Sequence, residues 1–190
     1  MDEYDEIRAT RQWWGTPVPS VFHQICSLVT AQEVSFAKGR AIRQKLFQLS
    51  EAMGFGGVLG REFVLGIGKD KLVETGLSPS RAETLLEAAG LPEGEPDSYA
   101  VVRGIGPWTI KGTKLLLGQG DNIVLSEDKW IRQRLGQMVG QKIVTEAQAQ
   151  TMFQQWAGHE SLMSYFLWRA KPAAIDKLLT HAKLTRDDFV

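Results

Sequence analysis

Two short stretches hold residue types and spacings that could do chemistry. The first is Ser126-Glu127-Asp128, which opens the amphipathic segment DKWIRQRLGQMV. Acidic side chains at such a place ordinarily cap the helix and complement its dipole. A carboxylate held there and facing a cleft can also stabilise a positively charged sugar transition state, as in glycoside cleavage, or position a water. The second is Arg103-Gly104-Ile105-Gly106-Pro107. Two glycines around one apolar residue allow a very tight turn between packed helices. The amides that open the following helix lack intrahelical acceptors, and the dipole adds partial positive charge. That makes an anion site without any side chain. Arg103, Lys111 and Lys114 add charge around it, and a duplex phosphate is a natural ligand. The same glycines serve equally well as a purely structural turn. A second such triplet, Gly66-Ile67-Gly68 before Lys69, lacks flanking apolar helices in the same register and reads as a loop entering a helix.

A third feature is aromatic density. Tryptophan occurs at positions 13, 14, 108, 130, 156 and 168, with Tyr165 and Phe166 close by. Rings of this kind chiefly fill cores, but they are also the platforms on which extruded nucleobases stack. His23, His159 and His181 are scattered, without the spacing of a metal site.

The 190 residues carry 22 basic and 22 acidic side chains, so net charge by itself does not point to a polyanion. The distribution is more informative. Residues 34–50 hold Lys38, Arg40, Arg43 and Lys45 and no acid, and residues 101–120 hold Arg103, Lys111 and Lys114 and no acid. Local patches of this kind matter more to nucleic acid than the total does. One cysteine, Cys26, leaves no internal disulfide framework and no four-cysteine zinc or iron–sulfur site, which fits an intracellular compartment. An acidic N-terminus does not read as a secretory signal, and no apolar run approaches the ~18 residues of a membrane span.

Helices must position these residues, since strand alternation is absent. Val21, Phe22, Ile25, Cys26, Leu28 and Val29 mark a helix over 20–31. AQEVS reads as a tight turn, with Ser35 the cap of a helix over 36–50 that carries Ala37, Ala41, Ile42, Leu46 and Leu49 on one face. Short helices follow near 61–65 and 69–75. Ser78-Pro79 starts one that runs to Ala89, with Gly90 as its stop. A short helix capped by Asp97 or Ser98 leads into the glycine turn. Further helices fit 108–117, 127–138, 145–156, 160–170 and 172–181. The expected fold class is all-α, built from short helices and short connections.

In that order, LVTAQEVSFAKG (28–39), GLSPSRAETLLEAA (76–89), VRGIGPWTIKGTKLLLG (102–118), VLSEDKWIRQRLG (124–136) and SYFLWR (164–169) resemble the segments of the helix-hairpin-helix DNA glycosylases. The likeness is closest to the monofunctional 3-methyladenine DNA glycosylases of alkylation repair. It implies a two-lobed helical bundle over the single core 1–190, without an extra N-terminal β-domain. It implies double-stranded DNA carrying a damaged base as partner, a monomer, and no membrane association. The hairpin residues Arg103, Gly104, Gly106, Trp108, Thr109 and Lys111 would grip phosphates. Gln32 and Glu33 would form the wedge region. Trp14, Trp108, Trp130, Tyr165 and Trp168 would build a base pocket between the lobes, and Asp128 would assist cleavage of the N-glycosidic bond.

Trp108 stands where bifunctional relatives carry a lysine nucleophile, which implies a glycosylase without lyase activity. No cofactor and no iron–sulfur cluster are implied, although the carbonyls around Ala100, Val102 and Arg103 could hold a structural monovalent cation. The sequence departs from the pattern at four places. Glu33 replaces an apolar residue or glutamine, Ile110 replaces alanine, Gly112 a pocket tyrosine, and Lys171 falls in register with a pocket tryptophan. Two other readings stand beside this one: a glycosylase of the same fold for uracil, mismatched thymine or oxidised purines, and a damage-binding protein that does not cut.

Overall fold

A computed structural model describes residues 20–120 and 122–180. Trp13, Trp14 and His181 lie outside the described residues. The described chain is all-helical and falls into two compact units that divide at Leu117 and Gly118. Among the described residues no helix is long and apolar enough to cross a membrane.

The first unit contains α1 (Val21–Val29), α2 (Phe36–Ala52), α3 (Arg61–Glu74), α4 (Pro79–Gly90), a 3-10 turn (Pro96–Val101) and α5 (Pro107–Leu117). Three of its helices begin at serines whose hydroxyls accept an amide three residues on: Ser20 from His23, Ser35 from Lys38 and Ser78 from Arg81. Each such cap contributes about 1 kcal/mol. Phe22, Ile25, Cys26 and Val29 of α1 pack with Ile42, Leu46, Phe63, Leu72, Leu85 and Tyr99 into one core, which also takes Ile105 from the glycine turn and Ile110 from α5. Burying side chains of this size stabilises by about 1.5–3 kcal/mol apiece. His23 joins the same packing: its ring stacks on Phe47, and its Nδ1 accepts the Leu59 amide at 3.2 Å.

Four local expectations are corrected. Ala37 and Ala41 are exposed, while Ile42 and Leu46 are buried. At 3.6 residues per turn the two alanines sit about 140° around the helix from the isoleucine–leucine stripe. Gly90 does not stop α4 but ends inside it, and the cap is Leu91 in extended backbone. Pro92 follows Leu91 and disfavours helical geometry there. The short helix before the hairpin is a 3-10 turn capped at Glu95, not at Asp97 or Ser98. Pro96 supplies the helical φ one residue earlier, and the Ser98 hydroxyl donates to Glu95 O at 2.7 Å. The two short helices expected near 61–65 and 69–75 are both present, joined within α3 at a kink where Gly68 adopts φ +69° and ψ 178°. The second glycine triplet is therefore a break within α3 rather than a loop ahead of it.

The second unit contains α6 (Lys129–Met138), α7 (Glu146–Phe153), a short 3-10 turn (Gln154–Trp156), α8 (Glu160–Arg169) and α9 (Pro172–Leu179). Its buried residues include Ile131, Leu135, Ala149, Phe153, Met163, Phe166, Leu167 and Ile175. Thr145 and Gln148 form a reciprocal capping box at α7. α6 can turn tightly into the following loop only because residue 136 is glycine. A Cβ there would lie 2.8 Å from Gln141 O and 2.9 Å from Ile143 N.

Candidate nucleic-acid interface and carboxylate site

In the first unit, Gly104 has φ +92°, a left-handed conformation that a side chain disfavours. A Cβ on it would fall 2.6 Å from Thr84 Oγ1. That hydroxyl donates to Arg103 O at 2.9 Å, so α4 holds the hairpin turn directly. Ile105 plugs into the core between the two glycines. Gly106 differs from Gly104. It has no positive φ, and a Cβ on it would meet nothing within 4 Å. Neither backbone nor internal packing requires a glycine there. Its absent side chain leaves the start of α5 open to close approach. Within α5 the Ile110 amide bonds Gly106 O at 3.1 Å.

The side chains around this opening divide into two groups. Arg103 is exposed, and Trp108 and Lys111 are half-buried on the first turns of α5. Lys114 pairs with Asp97 at 2.6 Å. Thr109, by contrast, is buried, and its hydroxyl accepts from the Gln32 carboxamide at 3.0 Å. The same Gln32 nitrogen donates to Gly104 O at 2.9 Å. Gln32 is thus committed to the hairpin, while Glu33 beside it on the turn between α1 and α2 is exposed. Val102 O and Arg103 O each accept one hydrogen bond, from the Ile105 amide and the Thr84 hydroxyl. Ile110 and Gly112 are both buried on α5.

In the second unit, Asp128 is the N-cap of α6. Its Oδ1 accepts the Ile131 amide at 2.9 Å, and the residue is 8% exposed. The helix dipole favours negative charge at that position. Sequence reasoning missed what brings Asp128 there. Ser161 and Ser164, one turn apart on α8, grip the segment that leads to it. Ser161 Oγ accepts the Ile123 amide and donates to Gly120 O, each at 2.8 Å. Ser164 Oγ donates to Ile123 O at 2.8 Å and accepts the Leu125 amide at 3.4 Å. The only prior signal was that SYFLWR begins with serine, which propensity would read as a poor helix residue.

The aromatic set is dispersed in role. Tyr165 is buried, Trp168 is half-buried, and Trp130 is half-buried with the Arg134 guanidinium 4.3 Å from its ring centroid. Arg134 is itself only 6% exposed. Its Nε donates to Ala170 O at the C-terminus of α8, where the negative end of the dipole offsets its charge. Burial holds its pKa below the usual arginine value. Lys171 is exposed. Trp156 is buried against Phe153, edge to face. Among the described residues no group of three or more His, Cys, Asp or Glu side chains could hold a metal ion.

No family model matches the chain, and no curated protein sequence does. Solved structures do. The 3-methyladenine DNA glycosylase of Archaeoglobus fulgidus superposes with a TM-score of 0.67 at 19% identity, over 94% of this chain and 67% of that one. The 3-methyladenine DNA glycosylase of Schizosaccharomyces pombe, in complex with abasic DNA, superposes with a TM-score of 0.67 at 16% identity, over 88% of this chain and 91% of that one. The all-α fold expected from the sequence is therefore one shared with DNA glycosylase structures.

Proposed function

We propose that this chain is a monofunctional DNA N-glycosylase that removes alkylated purines from duplex DNA and leaves an abasic site. One observation carries the reading: in a fold shared with two 3-methyladenine DNA glycosylases, a mostly buried carboxylate, Asp128, caps a helix in the segment whose pattern matches that family's catalytic aspartate. The open face at Gly106 and the basic residues Arg103 and Lys111 suit the phosphates beside the lesion.

Alkylation on a purine ring nitrogen gives the base a positive charge. The C1′–N bond can then break with its electron pair leaving on the base, which departs neutral. The sugar is left as an oxocarbenium ion. Asp128 stabilises that ion electrostatically, and water adds to C1′ with loss of a proton. Trp108, two residues after Gly106, supplies no amine for a Schiff base, so the product remains an intact strand with an abasic site. The carbonyls of Val102 and Arg103 each keep a lone pair with which a structural monovalent cation could be held.

The test is base release from methylated duplex DNA, with uracil, mismatch and 8-oxoguanine duplexes alongside and strand breakage read only after hot alkali. Wild type is expected to release methylpurines. Asp128→Asn is expected to lose release by at least a hundredfold while still binding DNA. Activity on another duplex would replace the substrate and keep the mechanism. Binding without release from any duplex would replace the enzyme with a damage binder.

A further inference from the structure

Glu33 is singled out by two independent features. Among the described residues it is the one non-glycine with a left-handed backbone, φ +49°. Its side chain is also 94% exposed. Strain of this kind costs about 1–3 kcal/mol and persists where the surroundings over-determine it. Here they do. The amides of Ala31 and Gln32 both bond Leu28 O, at 2.8 and 3.1 Å. The Gln32 carboxamide holds Gly104 O and Thr109 Oγ1. Ser35 caps α2, and Gly39 backs the turn so closely that a Cβ would lie 3.3 Å from Thr30 O. The carboxylate is thus projected from a rigid turn whose preceding residue is bonded to the hairpin. Its ion pair, with Arg81 Nη2 at 3.8 Å, is one that solvent exposure keeps weak and exchangeable.

A carboxylate beside a phosphate-binding hairpin adds nothing to the grip on a polyanion, which repels it. It can only accept hydrogen bonds. When a nucleotide leaves the stack, the base that faced it loses its partner and presents an unpaired edge. Cytosine offers an amino group there, and glutamate is suited to accept from cytosine N4. Thymine offers one N–H between two carbonyls that repel a carboxylate.

Resting on the DNA reading above, we propose that Glu33 is a specificity-determining residue that probes this unpaired base, accepting from cytosine and disfavouring thymine. Cytosine is the partner of guanine. The substrate class then narrows to alkylated guanines in preference to alkylated adenines.

Duplexes with a tetrahydrofuran abasic analogue opposite cytosine or thymine test this without a lesion. Wild type is expected to bind the cytosine duplex roughly tenfold more tightly than the thymine duplex. Glu33→Gln, which can both donate and accept, is expected to bring the ratio close to one by raising affinity for the thymine duplex. The position is exposed, so the thermal midpoint should not move. Equal affinities in wild type, or a ratio that persists in Glu33→Gln, would overturn the inference and leave the DNA reading standing. Absence of binding to either duplex would overturn the DNA reading, and this inference with it.

Discussion

Asp128 caps α6, and the proposed function gives it a second job that a substitution can separate from the first. As a cap it needs only an acceptor, which asparagine also provides. Asp128→Asn should therefore change stability by less than ~1 kcal/mol, while Asp128→Ala should cost about 1 kcal/mol. Urea unfolding of the two variants, set beside their loss of base release, distinguishes a charge effect from a folding defect. The hairpin glycines separate in the same way. Gly104→Ala meets both a left-handed φ and the Thr84 hydroxyl at 2.6 Å, and is expected to destabilise by about 1–3 kcal/mol. Gly106→Ala meets nothing, so its stability should stay within about 0.5 kcal/mol of wild type. Its DNA affinity should nonetheless fall on the proposed function, which puts a phosphate where the added methyl group would stand. Unchanged affinity in Gly106→Ala would remove the hairpin from the interface.

At the scale of elements, the segment that leads to Asp128 is held by a helix rather than by its own sequence. Residues 118–120 and 122–126 have no regular structure to satisfy their backbone. Ser161 and Ser164 of α8 supply the missing partners for Gly120, Ile123 and Leu125. Ser164→Ala leaves a buried carbonyl and a buried amide unpaired, which should cost about 1–3 kcal/mol. It should also lower the rate of base release, since the segment leads into the Asp128 cap. Wild-type turnover in Ser164→Ala at matched folded fraction would mean that the loop is held by packing alone. α4 does the corresponding work for the hairpin through Thr84, and the α1–α2 turn does it through Gln32. The hairpin turn and the segment before Asp128 thus each rest on polar side chains from another element.

At the scale of the whole molecule, titration and charge act together. Burial lowers the pKa of His23, whose Nδ1 accepts the Leu59 amide and cannot do so once protonated. The unfolded chain takes up a proton near pH 6.5. The folded chain resists until lower pH. Stability should therefore be complete above about pH 6.5 and decline as pH falls through the folded pKa of His23. Urea midpoints compared at neutral and mildly acidic pH, in wild type and His23→Gln, check this, and the decline should be smaller in the variant. On the proposed function, the balanced net charge leaves association with DNA to the local patches of residues 34–50 and 101–120.

Much of this was legible in the chain itself. Caps at Ser35 and Ser78, the break between two halves of α3, the α1 core stripe and the hairpin turn all follow from local chemistry: hydroxyl acceptors, glycine φ, proline geometry and the 3.6-residue period. Asp128 could be placed at a helix start because cap preferences act over four residues. What stayed hidden depends on partners distant in sequence. That Gln32 turns to Gly104 across 72 residues, while Glu33 remains outside, is decided by where α1 and α5 pack. That Ser164 grips Ile123, and that Arg134 bonds Ala170, is decided by where α8 packs against α6 and the segment before it. Local spacing sets which way a side chain can point along its own helix. Only the packed fold supplies the acceptor or donor at the other end, and with it the role of the residue.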